Sequence, residues 1–247
     1  MVHGLRIALL LFLSAVAPAA QAAHAPPSLA AACGSNAGIK AQPLWLTTRD
    51  GVRLYAIEAG HGAAAVALAH QGGSDLCGEL PYAKTLVASG LRVLAFDFRG
   101  WGHSQSPSHD SLALGRDLAA AVARLHGEGA KQVFLIGASM GGAAVVQNSG
   151  GMPVAGSVSL SGTRLWPGYG INTPGPSALR APFLYIGSKN DGRAPLTEAR
   201  KIFRKAGSRD KRSAFYRGSW HGWSLVQDAP FAAKTRALIL AWIRARS

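Results

Sequence analysis

A serine fenced by glycines is the first chemically pointed feature of this chain. In FLIGASMGGAA, Phe134 to Ala144, an apolar run stops at Gly137, and Ser139 stands between Gly137 and Gly141 with small residues beyond. The preceding KQVFLIG has the continuous apolar character of a buried strand, and a helix is expected to open near Met140. A chain that passes from strand to helix so abruptly crowds its own backbone, so side chains two before and two after the serine would collide. Glycine at both places relieves the clash and leaves the serine oxygen exposed at the carboxyl end of the sheet. The Met140 amide then faces the place where negative charge develops on a reacting carbonyl oxygen, and the helix start adds a favourable field. A serine hydroxyl is a weak nucleophile near neutral pH. It needs a base to take its proton and a carboxylate to orient that base.

Gly137-Ala138-Ser139-Met140-Gly141 reproduces the G-x-S-x-G nucleophile elbow, and over roughly residues 40 to 245 the chain resembles the α/β-hydrolase family. The resemblance implies the order serine, acid, histidine. Of eight histidines only His221, in GSWHGW, follows Ser139, and it comes after RSAFYRG, the last strand-like run, where the family places its base. Between the two stand Asp191, Glu198 and Asp210. Glu198 falls in a helical pattern and Asp210 in a basic run, whereas Asp191 ends FLYIGSKND, just past a buried strand. Some relatives carry the acid one strand earlier, but GGMPVAGSVSLSGTRLWPGYG contains none. The expected triad is Ser139, Asp191 and His221.

The family's second oxyanion amide comes from the loop after the third strand, which usually reads His-Gly-x. Here it reads His70-Gln71-Gly72-Gly73, so the partner of Met140 is expected to be Gly72, with Gln71 second and His70 as a brace. DFRGWGHS, Asp97 to Ser104, matches the family segment D-x-R-G-x-G-x-S, in which Asp97 and Arg99 are expected to tie a loop beside the site. The resemblance implies an acyl-enzyme route on small-molecule carboxylic esters, with amides, peptides or thioesters as alternatives, and no cofactor or metal. Relatives that open epoxides or expel halide carry aspartate at the elbow, so Ser139 argues against both. A non-catalytic ligand-binding protein on the same fold is the alternative from another class.

These side chains need a scaffold that brings distant residues to one edge. PLWLTT and VRLYAIEAG flank the turn signal Arg49-Asp50-Gly51 and read as an antiparallel hairpin. AAAVALAH, LRVLAFDF, KQVFLIG, PVAGSVSLSG, APFLYIGS and RSAFYRG read as further strands. Helical spacing appears in Glu79–Gly90, in Ser111–Gly129 (where Leu114, Leu118, Val122 and Leu125 share a face), near 196–206 and over 229–244. Apolar strands separated by helices predict an α/β fold: about eight mostly parallel strands with helices on both faces. The stretch from Thr163 to Arg180 is too short, and too rich in proline and glycine, for a multi-helix cap. It predicts a short lid, with Trp166 and Tyr169 as candidate walls of a substrate pocket, and Trp223, beyond the histidine, as either a further wall or a core residue.

Residues 1–23 read as a signal peptide: Arg6, the apolar run Ile7–Ala17, Pro18, then the small residues of Ala20-Gln21-Ala22. That run falls well short of the ~20 residues a membrane span needs. Residues 24–38 read as a flexible leader and 39–247 as one α/β-hydrolase domain, secreted or periplasmic. Cys33 and Cys77, an even count in an exported chain, are expected to form a disulfide. The formal charge is +14, from 26 Lys and Arg against 12 acids, with one basic cluster at Arg200–Arg212. That cluster lacks the interleaved aromatic residues of a nucleic-acid site and reads as a solvated face able to meet an anionic envelope surface.

Overall fold

The computed structural model describes residues 25–34, 38–107, 113–163 and 175–247. The expected signal segment 1–23 and the aromatic pair Trp166 and Tyr169 lie outside them. Within the expected leader a short helix, α1 (Leu29–Cys33), is capped by the Ser28 side chain and joined to the domain by a Cys33–Cys77 disulfide, so the leader is ordered at this point.

The strands are β1 (Gln42–Thr47), β2 (Arg53–Ala59), β3 (Ala64–Ala69), β4 (Arg92–Phe96), β5 (Gln132–Ala138), β6 (Gly156–Leu160), β7 (Phe183–Ser188) and β8 (Lys211–Tyr216). They form one sheet in the order β1-β2-β4-β3-β5-β6-β7-β8. β1 and β2 pair antiparallel, with Trp45 opposite Tyr55, and β2 pairs antiparallel with β4; every later pairing is parallel. The hairpin turns at Gly51, whose φ of 81° suits glycine, and Thr48 closes it by exchanging backbone bonds with Val52 and Gly51.

Between the strands run α2 (Leu80–Ala88), α3 (Leu114–Gly127), α4 (Met140–Asn148) and α5 (Leu196–Lys205), and α6 (Ala232–Arg244) ends the chain. Period-two alternation sends neighbouring strand residues into separate cores. Phe134 and Ile136 of β5 pack with Val66, Leu68, Val158, Leu184 and Ile186 under α2 and α6. Val133 and Leu135 pack on the other face under α3 and α4, and Phe183 and Tyr185 continue that face under α5. Helices on both faces force the parallel connections to cross over, so the carboxyl ends of β3, β5, β7 and β8 all open on one edge.

Candidate active site

The sharpest feature of that edge is the turn from β5 into α4. Ser139 has φ 49° and ψ −110°, a conformation that L residues avoid, and only Ser161 shares a positive φ among the described non-glycine residues. The surroundings enforce it. A Cβ on Gly137 would land on the Gly141 backbone, and one on Gly141 would land on the carbonyls of Ala69 and His70. The Ser139 amide donates to the Leu160 carbonyl at 2.8 Å and the Gly141 amide to the His70 carbonyl at 3.1 Å, which leaves the Met140 amide, first in α4, outside these bonds.

Ser139, His221 and Asp191, separated by up to 82 residues, form one hydrogen-bonded line. His221 Nε2 lies 2.8 Å from Ser139 Oγ, and His221 Nδ1 lies 2.8 Å from Asp191 Oδ2 and 3.0 Å from Oδ1. A carboxylate only accepts, so Nδ1 carries the proton and Nε2 is free to accept from the serine hydroxyl. Asp191 is held in turn by the Arg193 and Ala194 amides, which donate to Oδ1 at 3.0 and 3.1 Å. Burial works to raise its carboxyl, but the hydrogen bond and charge of His221, with the Arg193 amide, outweigh that and hold it below the ordinary value.

The loop after β3 faces the serine. Gly72 sits against Met140, where a Cβ on it would lie 3.7 Å from the Met140 Cβ. The Gln71 side chain crosses instead to the histidine loop, its Oε1 accepting from the Trp223 amide at 3.3 Å. Gly222, at φ 57°, makes room for it, because a Cβ there would meet Gln71 Oε1. Sequence reasoning missed this strut, although the glutamine in a glycine's usual place was its signal. His70 braces the loop: Nδ1 donates to the Gln71 carbonyl at 2.9 Å and Nε2 accepts from the Phe98 amide at 3.0 Å. Burial pushes its ring down to about 4.

In the Asp97–Ser104 segment, Asp97 and Arg99 tie loops, as expected, and do so through separate partners. Asp97 accepts from the amides of Leu76 and His103, both at 2.8 Å, and Gly102 packs so closely on its carboxyl that a Cβ would overlap it. Arg99, fully buried, pairs with Asp117 of α3 and with Asp50 of the hairpin turn, each at 2.8 Å. Among the described residues no group of three or more His, Cys, Asp or Glu is placed to hold a metal.

Of the two readings of Trp223, pocket wall and core, the structure favours the core. The short turn Gly222–Leu225 sends its indole inward, 2 % exposed and tilted against Tyr82 at 5.9 Å, so it belongs to the core behind the histidine rather than to a solvent-open wall.

The pattern described as "Alpha/beta hydrolase family" matches residues 61–246, three quarters of the chain. The chain belongs to that family. Solved structures agree on the fold. An esterase from Pyrococcus furiosus, Pf2001, is 17% identical with a TM-score of 0.73, covering 85% of this chain and 92% of that one. An esterase from Exiguobacterium antarcticum is 14% identical (TM-score 0.67, 82% and 100% covered). A monoacylglycerol lipase from Paleococcus ferrophilus is 18% identical (TM-score 0.64, 78% and 99% covered). No curated protein matches the sequence significantly.

Proposed function

We propose that this protein is an exported serine hydrolase that cleaves small or medium carboxylic esters through an acyl-enzyme. The observation that carries the reading is the Ser139–His221–Asp191 line, with both links at 2.8 Å, at the end of a strained strand-to-helix turn. His221 Nε2 takes the hydroxyl proton as Ser139 Oγ bonds to the ester carbonyl carbon. The oxyanion is received by the Met140 amide and a second amide from Gly72 or, failing that, Gln71. His221 returns the proton to the leaving alkoxide, and the C–O bond breaks. Water then attacks the acyl-serine with His221 again as base, releasing the acid and restoring the serine. None of these steps calls on a metal or cofactor.

Ester chemistry is favoured over amide or thioester chemistry because two of the structural neighbours are esterases and a third is a monoacylglycerol lipase. The stretch 163–180 is too short, and too rich in proline and glycine, for a multi-helix cap, which suits soluble esters. Export is supported by the signal-like start and by the disulfide. The test is fluorophosphonate labelling with hydrolysis of p-nitrophenyl esters across chain length. Ser139→Ala abolishes both, and Asp191→Asn or His221→Ala lowers kcat about a thousandfold or more. A binding protein on the same fold leaves Ser139 unlabelled, and a rate jump confined to emulsified long-chain ester shows a lipase instead.

A further inference from the structure

The amino ends of β7 and β8 lie at the edge opposite the triad. There Lys211 begins β8, and its Nζ donates to the carbonyls of Arg204 and Ala206 at the end of α5. Arg180, just before β7, reaches the Gly207 carbonyl, so the same corner gathers Arg204, Lys205, Arg209 and Arg212. All but the half-buried Lys211 are exposed, and among the described residues none of the six forms an ion pair. The acid between them, Asp210, is taken by Arg246. Six cations without an ion pair, two of them (Arg180 and Lys211) held against backbone carbonyls, make a face, not merely a high net charge.

We propose that this corner docks onto the surface of an anionic phospholipid bilayer. The corner is charged rather than apolar, which fits adsorption at headgroups and not insertion. Phe203 is half-buried beneath Lys211, whose ammonium sits 5.4 Å from the ring centroid, so it offers no exposed ring on which bases could stack. The disulfide suits an oxidising compartment, where lipid headgroups are a standing polyanionic surface. The six residues of β8 separate the corner from the histidine loop by about 20 Å. A docked molecule therefore keeps its catalytic edge turned to solvent, and the docking does not depend on the hydrolase reading.

The test is sedimentation with phosphatidylcholine vesicles, with and without phosphatidylglycerol. The wild-type chain binds the anionic vesicles at low salt and is released near ~0.5 M NaCl, where screening is strong. Each cation near such a surface is worth about fivefold in partitioning, so removing three costs about 100-fold and the reversal Arg204→Glu/Arg209→Glu/Arg212→Glu lowers binding well beyond that. Arg49→Glu/Lys84→Glu/Lys234→Glu, with the same net charge but elsewhere on the surface, keeps most of it. The glutamine triple at 204, 209 and 212 gives an intermediate loss, and unchanged melting temperatures show that each variant folds. Equal losses from the two glutamate triples, no binding to anionic vesicles, or duplex DNA bound in preference to them overturns the proposal.

Discussion

Replacing both cysteines, Cys33→Ser/Cys77→Ser, tests how the domain holds its amino-terminal segment. The bridge joins α1 to the turn Leu76–Glu79 across 44 positions, with Cα atoms 5.4 Å apart. Closing a loop of that length removes about 4 kcal/mol of unfolded-state entropy by the chain-entropy relation. Little else compensates: Leu29 is buried, and the Tyr55 hydroxyl donates to the Pro27 carbonyl at 3.2 Å. A chain of this size loses roughly 2–4 °C of melting temperature per kcal/mol, so the variant should melt about 10 °C lower. Catalysis should respond differently. The Leu76 amide remains tied to Asp97 Oδ1 at 2.8 Å and the elbow is untouched, so kcat at 25 °C should stay within about twofold while stability drops. Differential scanning calorimetry of the variant, of the wild type and of the wild type in reductant, with ester kinetics on each, separates the two effects. A shift under about 2 °C, or two freely alkylated thiols in the unreduced protein, refutes the entropy argument.

Gly141→Ala should cost about 3 kcal/mol or more, because the added carbon meets backbone carbonyls of Ala69 and His70 that cannot swing away; chemical denaturation measures it. Gln71→Ala removes the strut to the Trp223 amide and should lower kcat about 5- to 10-fold at constant KM, the worth of one hydrogen bond, while Gln71→Glu, which keeps the acceptor, restores most of it. The contribution of His70 to stability should fall as pH drops from 6.5 to about 4, because the unfolded His70 takes a proton that the buried ring refuses, while buried Asp97 and Asp117, raised to about 6, contribute in the opposite sense. That contribution of His70 is about 3 kcal/mol and is read as the difference in pH dependence between the wild type and His70→Gln, from urea melts of both at several pH values. Asp191 also loses stability on acidification, but through its lowered value and thus below 3.8, which keeps the two windows apart.

What could be read from the sequence was whatever depends on backbone crowding or on scarcity. The elbow was legible because Gly137 and Gly141 answer a local steric demand that any chain turning so sharply must meet. His221 was legible because no other histidine follows Ser139, and Asp191 because its rivals sat on a helix or in a basic run. The hairpin followed from a three-residue turn signal. Side-chain bonds between distant segments have no period and no local cost, so they leave no such trace. Gln71 reaches the Trp223 amide across 152 positions, and Arg99 finds Asp117 and Asp50 at separations of 18 and 49. Arg99 shows why such bonds matter. A fully buried guanidinium carries a heavy desolvation cost, met here only because two carboxylates from separate elements converge on it. That convergence pins the hairpin turn and α3 to the loop after β4. The same loop gives the Phe98 amide to His70 and the Asp97 carboxylate to Leu76, so it grips the segment facing the serine at both ends. The bonds hidden from the sequence thus fix the position of the loop after β3, while those open to it fix Ser139 and His221.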